Sequence, residues 1–160
     1  MLDYVDPFLG TDGRGNCLCG PYLPYSLVRL GPDTLPPQPT NGYSSTAPTI
    51  YFSHTHVSGT GGGSRYGNIG VMPFTGRPRL AIEASERIQE TASPGYYAAT
   101  LTSSGVRVEL TSTPRVGVHR YHFPHEMQAN VLIDVGAIIR PTTIEREHRS
   151  GDWWIRRVDF

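Results

Sequence analysis

The 160-residue chain contains no lysine, and all 14 of its basic residues are arginine. A Walker-type phosphate loop and Schiff-base or lysine-base chemistry both need an ammonium on a flexible stem, so neither is available. Cysteine is scarce: Cys17 and Cys19 are the only two, which supports no disulfide framework and leaves the redox compartment open. Net charge is absent as well, with 14 arginines set against 14 acidic residues. Without a basic field to gather phosphates, the charge balance argues against nucleic acid or an anionic membrane surface as partner. Long apolar runs are also missing. The start has no positive n-region and no apolar h-region, and the stretch from Val131 to Ile139 is interrupted by Asp134 and Gly136. The expectation is a soluble chain with no visible signal peptide and no membrane span, its compartment unassigned.

Turn formers are abundant, with 18 glycines and 14 prolines, and they stop helices from propagating. A helix bundle is thereby disfavoured, and the length suits one domain over residues 1–160. Over the first 77 residues only Ser26 to Leu30, Thr49 to Ser53 and Ile69 to Pro73 have strand character between breakers. From Arg79 to Ala92 two periods compete: Glu86 and Glu90 are four apart as on a helix, while Leu80, Ile82 and Ala84 alternate as on a strand. The pattern then sharpens. Tyr96 to Thr102, Ser103-Ser104-Gly105 and Val106 to Thr113 read as strand, turn, strand, with Val106, Val108 and Leu110 on one face and Arg107, Glu109 and Thr111 on the other. Val116 to Phe123 and Ala129 to Val135 continue the series. The expected fold is all-β, an antiparallel β-sandwich.

The densest chemical signal is Phe52-Ser53-His54-Thr55-His56-Val57-Ser58-Gly59-Thr60-Gly61. On a strand, His54 and His56 project from the same face and can reach one ion or one ligand hydroxyl, and the glycines after them allow close backbone approach. Cys17, Cys19, His54 and His56 together would offer two thiolates and two imidazoles, the donor set of a tetrahedral zinc site, though a C-x-C spacing is shorter than zinc knuckles use. A small metal-binding β-domain is therefore the alternative reading. The opposing reading is of structural histidines at a strand end and small thiols packed in a loop.

Other signatures fail. Gly59-x-Gly61 runs on to Ser64 and Gly13-x-Gly15 to Leu18, so no G-x-G-x-x-G is completed, and no serine sits in G-x-S-x-G. Glycoside hydrolysis needs two carboxyl groups flanking one bond, and spacing alone nominates no pair. Glu83, Glu86 and Glu90 read as a solvated face. Trp153-Trp154 offers a surface for stacking on a sugar ring, against the commoner role of packing.

Several blocks taken in order resemble the amino-terminal region of glycoside hydrolase family 92, the calcium-dependent α-mannosidases. They are Tyr4-Val5-Asp6-Pro7-Phe8-Leu9-Gly10-Thr11, Leu30-Gly31-Pro32-Asp33-Thr34, Gly42-Tyr43, Phe52 through Gly61, Tyr66-Gly67-Asn68-Ile69 and Met72-Pro73. The series continues through Ala92-Ser93-Pro94-Gly95-Tyr96-Tyr97, Leu110-Thr111-Ser112-Thr113, Arg115 through Pro124, and Ala129 through Asp134. The resemblance implies a galactose-mutarotase-like supersandwich that in the family packs against a larger, downstream (α/α)6 catalytic barrel. It implies an exo-acting hydrolase of α-mannosides of the N-glycan type, with calcium as cofactor of the full-length enzyme, often secreted or periplasmic. The acid and base lie in the barrel, so no catalytic residue is expected in this chain and the fragment alone should be inactive. His54, His56, Ser58, Thr60 and Gly61 become the expected sugar-side contacts.

The chain also departs from the family pattern. Gly15-Asn16-Cys17-Leu18-Cys19-Gly20 stands where G-H-T-F-P-G is common, and Pro24-Tyr25-Ser26 where P-F-G is usual. The tail from Ile138 to Phe160 matches no block.

Overall fold

The computed structural model describes residues 2–13, 15–35, 41–57, 67–137, 146–150 and 153–157. After a short 3-10 turn at Leu2–Tyr4, they form β1 (Gly31–Thr34), β2 (Thr49–Ser53), β3 (Gly70–Thr75), β4 (Arg87–Ser93) and β5 (Tyr96–Leu101). The series ends with β6 (Arg107–Ser112), β7 (Gly117–His122), β8 (Ala129–Asp134), β9 (Arg146–Ser150) and β10 (Trp153–Arg157). One sheet has the order β1-β2-β3-β8-β10-β9 and the other β4-β5-β6-β7. Every pair is antiparallel except β10 on β8, which runs parallel and places Trp153 and Trp154 on an inner strand. Among the described residues no helix is long and apolar enough to cross a membrane.

The second sheet follows from its sequence. Ser93-Pro94-Gly95-Tyr96 closes β4 on β5, with Pro94 supplying the fixed φ of the first turn position and Gly95 the positive φ (82°) of the second. On β6 the alternation is realised: Val106, Val108 and Leu110 are buried, while Arg107, Glu109 and Thr111 face outward. Leu110 is paired with His119, and Val108 with Tyr121, so those two β7 residues share the inner face. The two sheets meet through Phe52 and Tyr97, both fully buried, with ring centroids 6.3 Å apart. Met72, Phe74, Leu101 and Leu132 extend the same core.

Two segments differ from expectation. Ser26 to Leu30 is not a strand, because its backbone is spent on neighbours: the Leu27 amide donates to Pro114 O (2.9 Å) and the Arg29 amide to His54 O (2.8 Å). The strand starts at Gly31, where Pro32 is tolerated because β1 is an edge. The competing periods over Arg79 to Ala92 resolve into β4 with a bulge between Ile88 and Thr91, where Gln89 adopts φ 51°. The irregularity brings Arg87 and Glu90 to the same side, which strict alternation forbids. Glu90 is therefore a partly buried ion-pair partner and not part of a solvated face, whereas Glu83 and Glu86 are exposed.

Leu110→Ala should lower stability by about 2–5 kcal/mol in urea unfolding, since it leaves a cavity in the inter-sheet core. Thr111→Ala, one residue on and facing solvent, loses only the exposed hydroxyl bond to Gly95 O (2.8 Å) and should cost about 1 kcal/mol or less. Equal effects of the two would mean that the alternation of β6 is wrong.

Candidate functional site

The end of β2 leads into the glycine-rich stretch through a hydrogen-bonded neck. The His54 amide donates to Asn68 O (3.0 Å) and the Gly67 amide to Thr55 O (2.7 Å). Thr55 and Asn68 lock the neck further, as the threonine hydroxyl donates to Asn68 Oδ1 (2.9 Å) and accepts from the Asn68 amide (2.9 Å). Asn68 Nδ2 reaches Ala137 O (3.2 Å), tying the neck to the turn after β8. Ser58, Thr60 and Gly61, three of the expected contacts, lie outside the described residues.

The two histidines enter different networks. His56 is buried, with Nδ1 2.7 Å from Arg29 O and Nε2 2.8 Å from Asp33 Oδ1. Burial works against the charged ring, but the Asp33 carboxylate and the two hydrogen bonds outweigh it and raise the pKa of His56. With acceptors on both nitrogens, the ring is an imidazolium paired to Asp33 inside the protein. Asp33 Oδ2 has no partner among the described residues, so this pair depends on one short contact. His54 is partly exposed: Nδ1 lies 2.9 Å from Ile69 O and Nε2 3.2 Å from Nε2 of His119, the rings 4.9 Å apart. Tyr121 Oη sits 2.7 Å from Nδ1 of His119. Gly117 makes the approach possible, since a Cβ there would lie 2.8 Å from Cδ2 of His54.

The zinc alternative does not hold. Among the described residues no three His, Cys, Asp or Glu side chains are grouped so as to hold a metal ion. Cys17 is exposed and Cys19 buried, where burial first and then Glu90 push its thiol up, away from the thiolate a metal needs. His54 and His56 have spent all their ring nitrogens inside the chain. Among the described residues no three carboxylates are grouped for the calcium that the family resemblance implies either.

A second cluster was invisible in the sequence. The Arg87 guanidinium, almost wholly buried, donates from Nε to Glu90 Oε1 (3.0 Å), from Nη2 to Ser44 O (2.7 Å), and from Nη1 to Ala47 O (3.0 Å) and the Thr49 hydroxyl. It also stacks over Tyr43 at 5.0 Å. Tyr97 donates to Glu90 Oε1 (2.5 Å). Glu90 lines an open cavity of about 220 Å³ together with Phe8, Thr11, Asp12, Tyr43 and Ser45. Its carboxylate is thus a fixed acceptor on the wall of a hollow lined in part by Phe8 and Tyr43, held by a buried cation. Only the broken alternation of β4 hinted at it.

Comparison with known proteins places this arrangement. The profile of the glycosyl hydrolase family 92 N-terminal domain matches residues 4–155. A protein of Arthroderma benhamiae described as an uncharacterized secreted glycosidase is 29% identical over 138 residues, covering 78% of this chain and 18% of that one. Among solved structures, a family GH92 α-mannosidase from Bacteroides thetaiotaomicron is 34% identical with a TM-score of 0.78, over 86% of this chain and 20% of its own. It has also been solved in complex with mannoimidazole. The GH92-family glycosyl hydrolase ccman5 is 27% identical with a TM-score of 0.76, over 91% of this chain and 21% of that one. The chain therefore spans about one fifth of the length of these relatives.

Asp33→Asn removes the charge that sustains the His56 imidazolium and should cost about 3–5 kcal/mol, as expected for breaking a buried pair. The wild-type contribution is fully present below the ordinary imidazole value of 6.5 and is lost as pH rises through the raised value of His56. Denaturation midpoints measured between pH 5 and about 9 should therefore fall on the alkaline side in the wild type, and that component should vanish in the variant.

Proposed function

The chain belongs to glycosyl hydrolase family 92, as its amino-terminal domain, and from that premise we propose that it forms the non-catalytic β-sandwich of an exo-α-mannosidase. In this reading it lines one wall of a sugar-binding cleft and packs on a catalytic domain supplied by the rest of the polypeptide. The observation that carries the reading is the match over residues 4–155, joined to two solved relatives of the same fold, one of them an α-mannosidase. The mannoside class follows from that relative, which has been solved with a mannose-like ligand.

The carboxylates support a passive role. Inverting or retaining hydrolysis needs an acid and a base free to exchange protons on either side of the glycosidic bond. Here Asp33 is committed to His56, Asp134 to the Tyr51 hydroxyl (2.5 Å), Glu90 to Arg87 and Glu109 to Arg120. In this reading the reactive pair is supplied by the remainder of the polypeptide, and these four carboxylates serve as frame. On the cleft side, the sugar contacts are assigned to Ser58, Thr60 and Gly61, with His54 and His56 holding the backbone that leads into that segment. The cavity beside Glu90 offers further acceptors for hydroxyl groups.

Two measurements test this reading. Purified 160-residue chain, given an aryl α-mannoside with calcium, should release no mannose; turnover would overturn the passive role. Methyl α-mannoside at millimolar concentration should shift the amide resonances of Thr55, Gly67 and Asn68, and unmoved resonances would remove the cleft wall.

A further inference from the structure

With both rings neutral, the contact between His54 and His119 admits one assignment of hydrogens. A backbone carbonyl can only accept, so the 2.9 Å contact at Ile69 O puts the hydrogen of the neutral His54 ring on Nδ1. Nε2 of His54 is then bare and accepts, and the hydrogen in the 3.2 Å contact belongs to Nε2 of His119. That leaves Nδ1 of His119 bare, and it takes the hydroxyl hydrogen of Tyr121 at 2.7 Å. One row of neutral donors and acceptors thus runs from β7 in one sheet to the loop neck beyond β2 in the other.

We propose that His119 and Tyr121 are positioning residues that fix the tautomer and ring orientation of His54 and so clamp the neck of the glycine-rich loop in a proton-sensitive way. The inference rests on the reading of that loop as a cleft wall, because the clamp matters to function only if the loop does. His54 is well placed to transmit it: its amide, carbonyl and ring bond in turn to Asn68, Arg29, and both Ile69 and His119. A proton added to Nε2 of His54 is accommodated only if the His119 hydrogen moves to Nδ1 and the Tyr121 hydroxyl turns to accept it, which reverses the row. A proton added to Nδ1 of His119 reverses the Tyr121 hydroxyl and leaves a charge facing Leu110 without a counter-ion.

The surrounding charges do not relieve this. Burial first, and the His54 ring second, lower the His119 pKa to about 4. Tyr121 is held neutral by burial. Glu109 lies on the opposite face of β6, bound to Arg120, His122 and the Tyr96 hydroxyl. Arg29 carries its guanidinium over Tyr22, and Asp33 is paired with His56.

The test uses the 15N-labelled 160-residue chain without any sugar. At pH 7 the imidazole spectra should show His54 with its hydrogen on Nδ1 and His119 with its hydrogen on Nε2. On acidification the amides of Thr55, Gly67 and Asn68 should shift with the midpoint of the His119 ring, well below 6.5. His119→Gln keeps an N–H for His54 but cannot titrate, so in it that transition of the neck amides should disappear. Tyr121→Phe removes the hydroxyl that holds Nδ1 of His119 bare, so the His119 ring should populate both tautomers and its midpoint should shift. The opposite tautomers, a His119 midpoint near the ordinary value, or neck amides that stay flat through the ring transition each overturn the proposal. If His119→Gln does not fold, an unchanged tautomer and midpoint in Tyr121→Phe overturn it instead. A chain that shows the relay but ignores mannoside would sink the cleft reading and leave this one standing.

Discussion

A buried backbone carbonyl must find a donor, and in this chain that requirement governs how everything around the first sheet is built. β1, β2 and most of β3 are buried on both faces, yet long irregular segments lie against them in place of further ladders. Loop carbonyls enclosed in this way are met by side chains. Asn41 Nδ2 serves Thr11 O and Cys17 O, both at 2.8 Å, Arg87 serves Ser44 O and Ala47 O, and the ring of His56 serves Arg29 O. Each of these donors is itself fixed by a second contact: the Tyr43 amide to Asn41 Oδ1, Glu90 to Arg87 and Asp33 to His56.

This construction explains why polar residues here are frame before they are chemistry. Leaving a buried donor or acceptor without its partner costs about 1–3 kcal/mol, and more for charged groups. Arg87 with Glu90, and His56 with Asp33, are worth keeping for that reason alone. The same construction fixes the residues on either side of the glycine-rich segment: Thr55, Gly67 and Asn68 are bonded where β2 leaves the sheet, with Gly117 of the opposing sheet close enough for His54 and His119 to meet. For the proposed cleft wall, a neck tied into both sheets holds the two ends of that segment in fixed positions.

The legible part of the fold was the part built by local rules. The Pro94-Gly95 turn and the two-residue alternation of β6 specify the second sheet, because an exposed face and a buried face leave a periodic trace. In the first sheet β2, β3 and β8 were legible as apolar runs between breakers, but β1 was not, since a strand buried on both sides does not alternate. Ser26 to Leu30 accordingly looked like a strand, while the true edge began at Gly31. His54 and His56 stood out as a pair, yet nothing in their spacing says that one ring turns to Asp33 and the other to His119. Glu90 was read as solvated because the bulge at Gln89, which brings it to the side of Arg87, has no mark in the sequence beyond a lost period.

By itself, the sequence determined the class of the fold, the hairpins of the second sheet, the absence of lysine chemistry and, through its ordered blocks, the family. Only the tertiary structure decided the partners: Asp33 for His56, His119 for His54 and Glu90 for Arg87. The reason is physical. Turns and alternation are set by residues a few positions apart, whereas a hydrogen bond between residues 23 or 65 positions apart depends on how the sheets pack, and no local pattern encodes that.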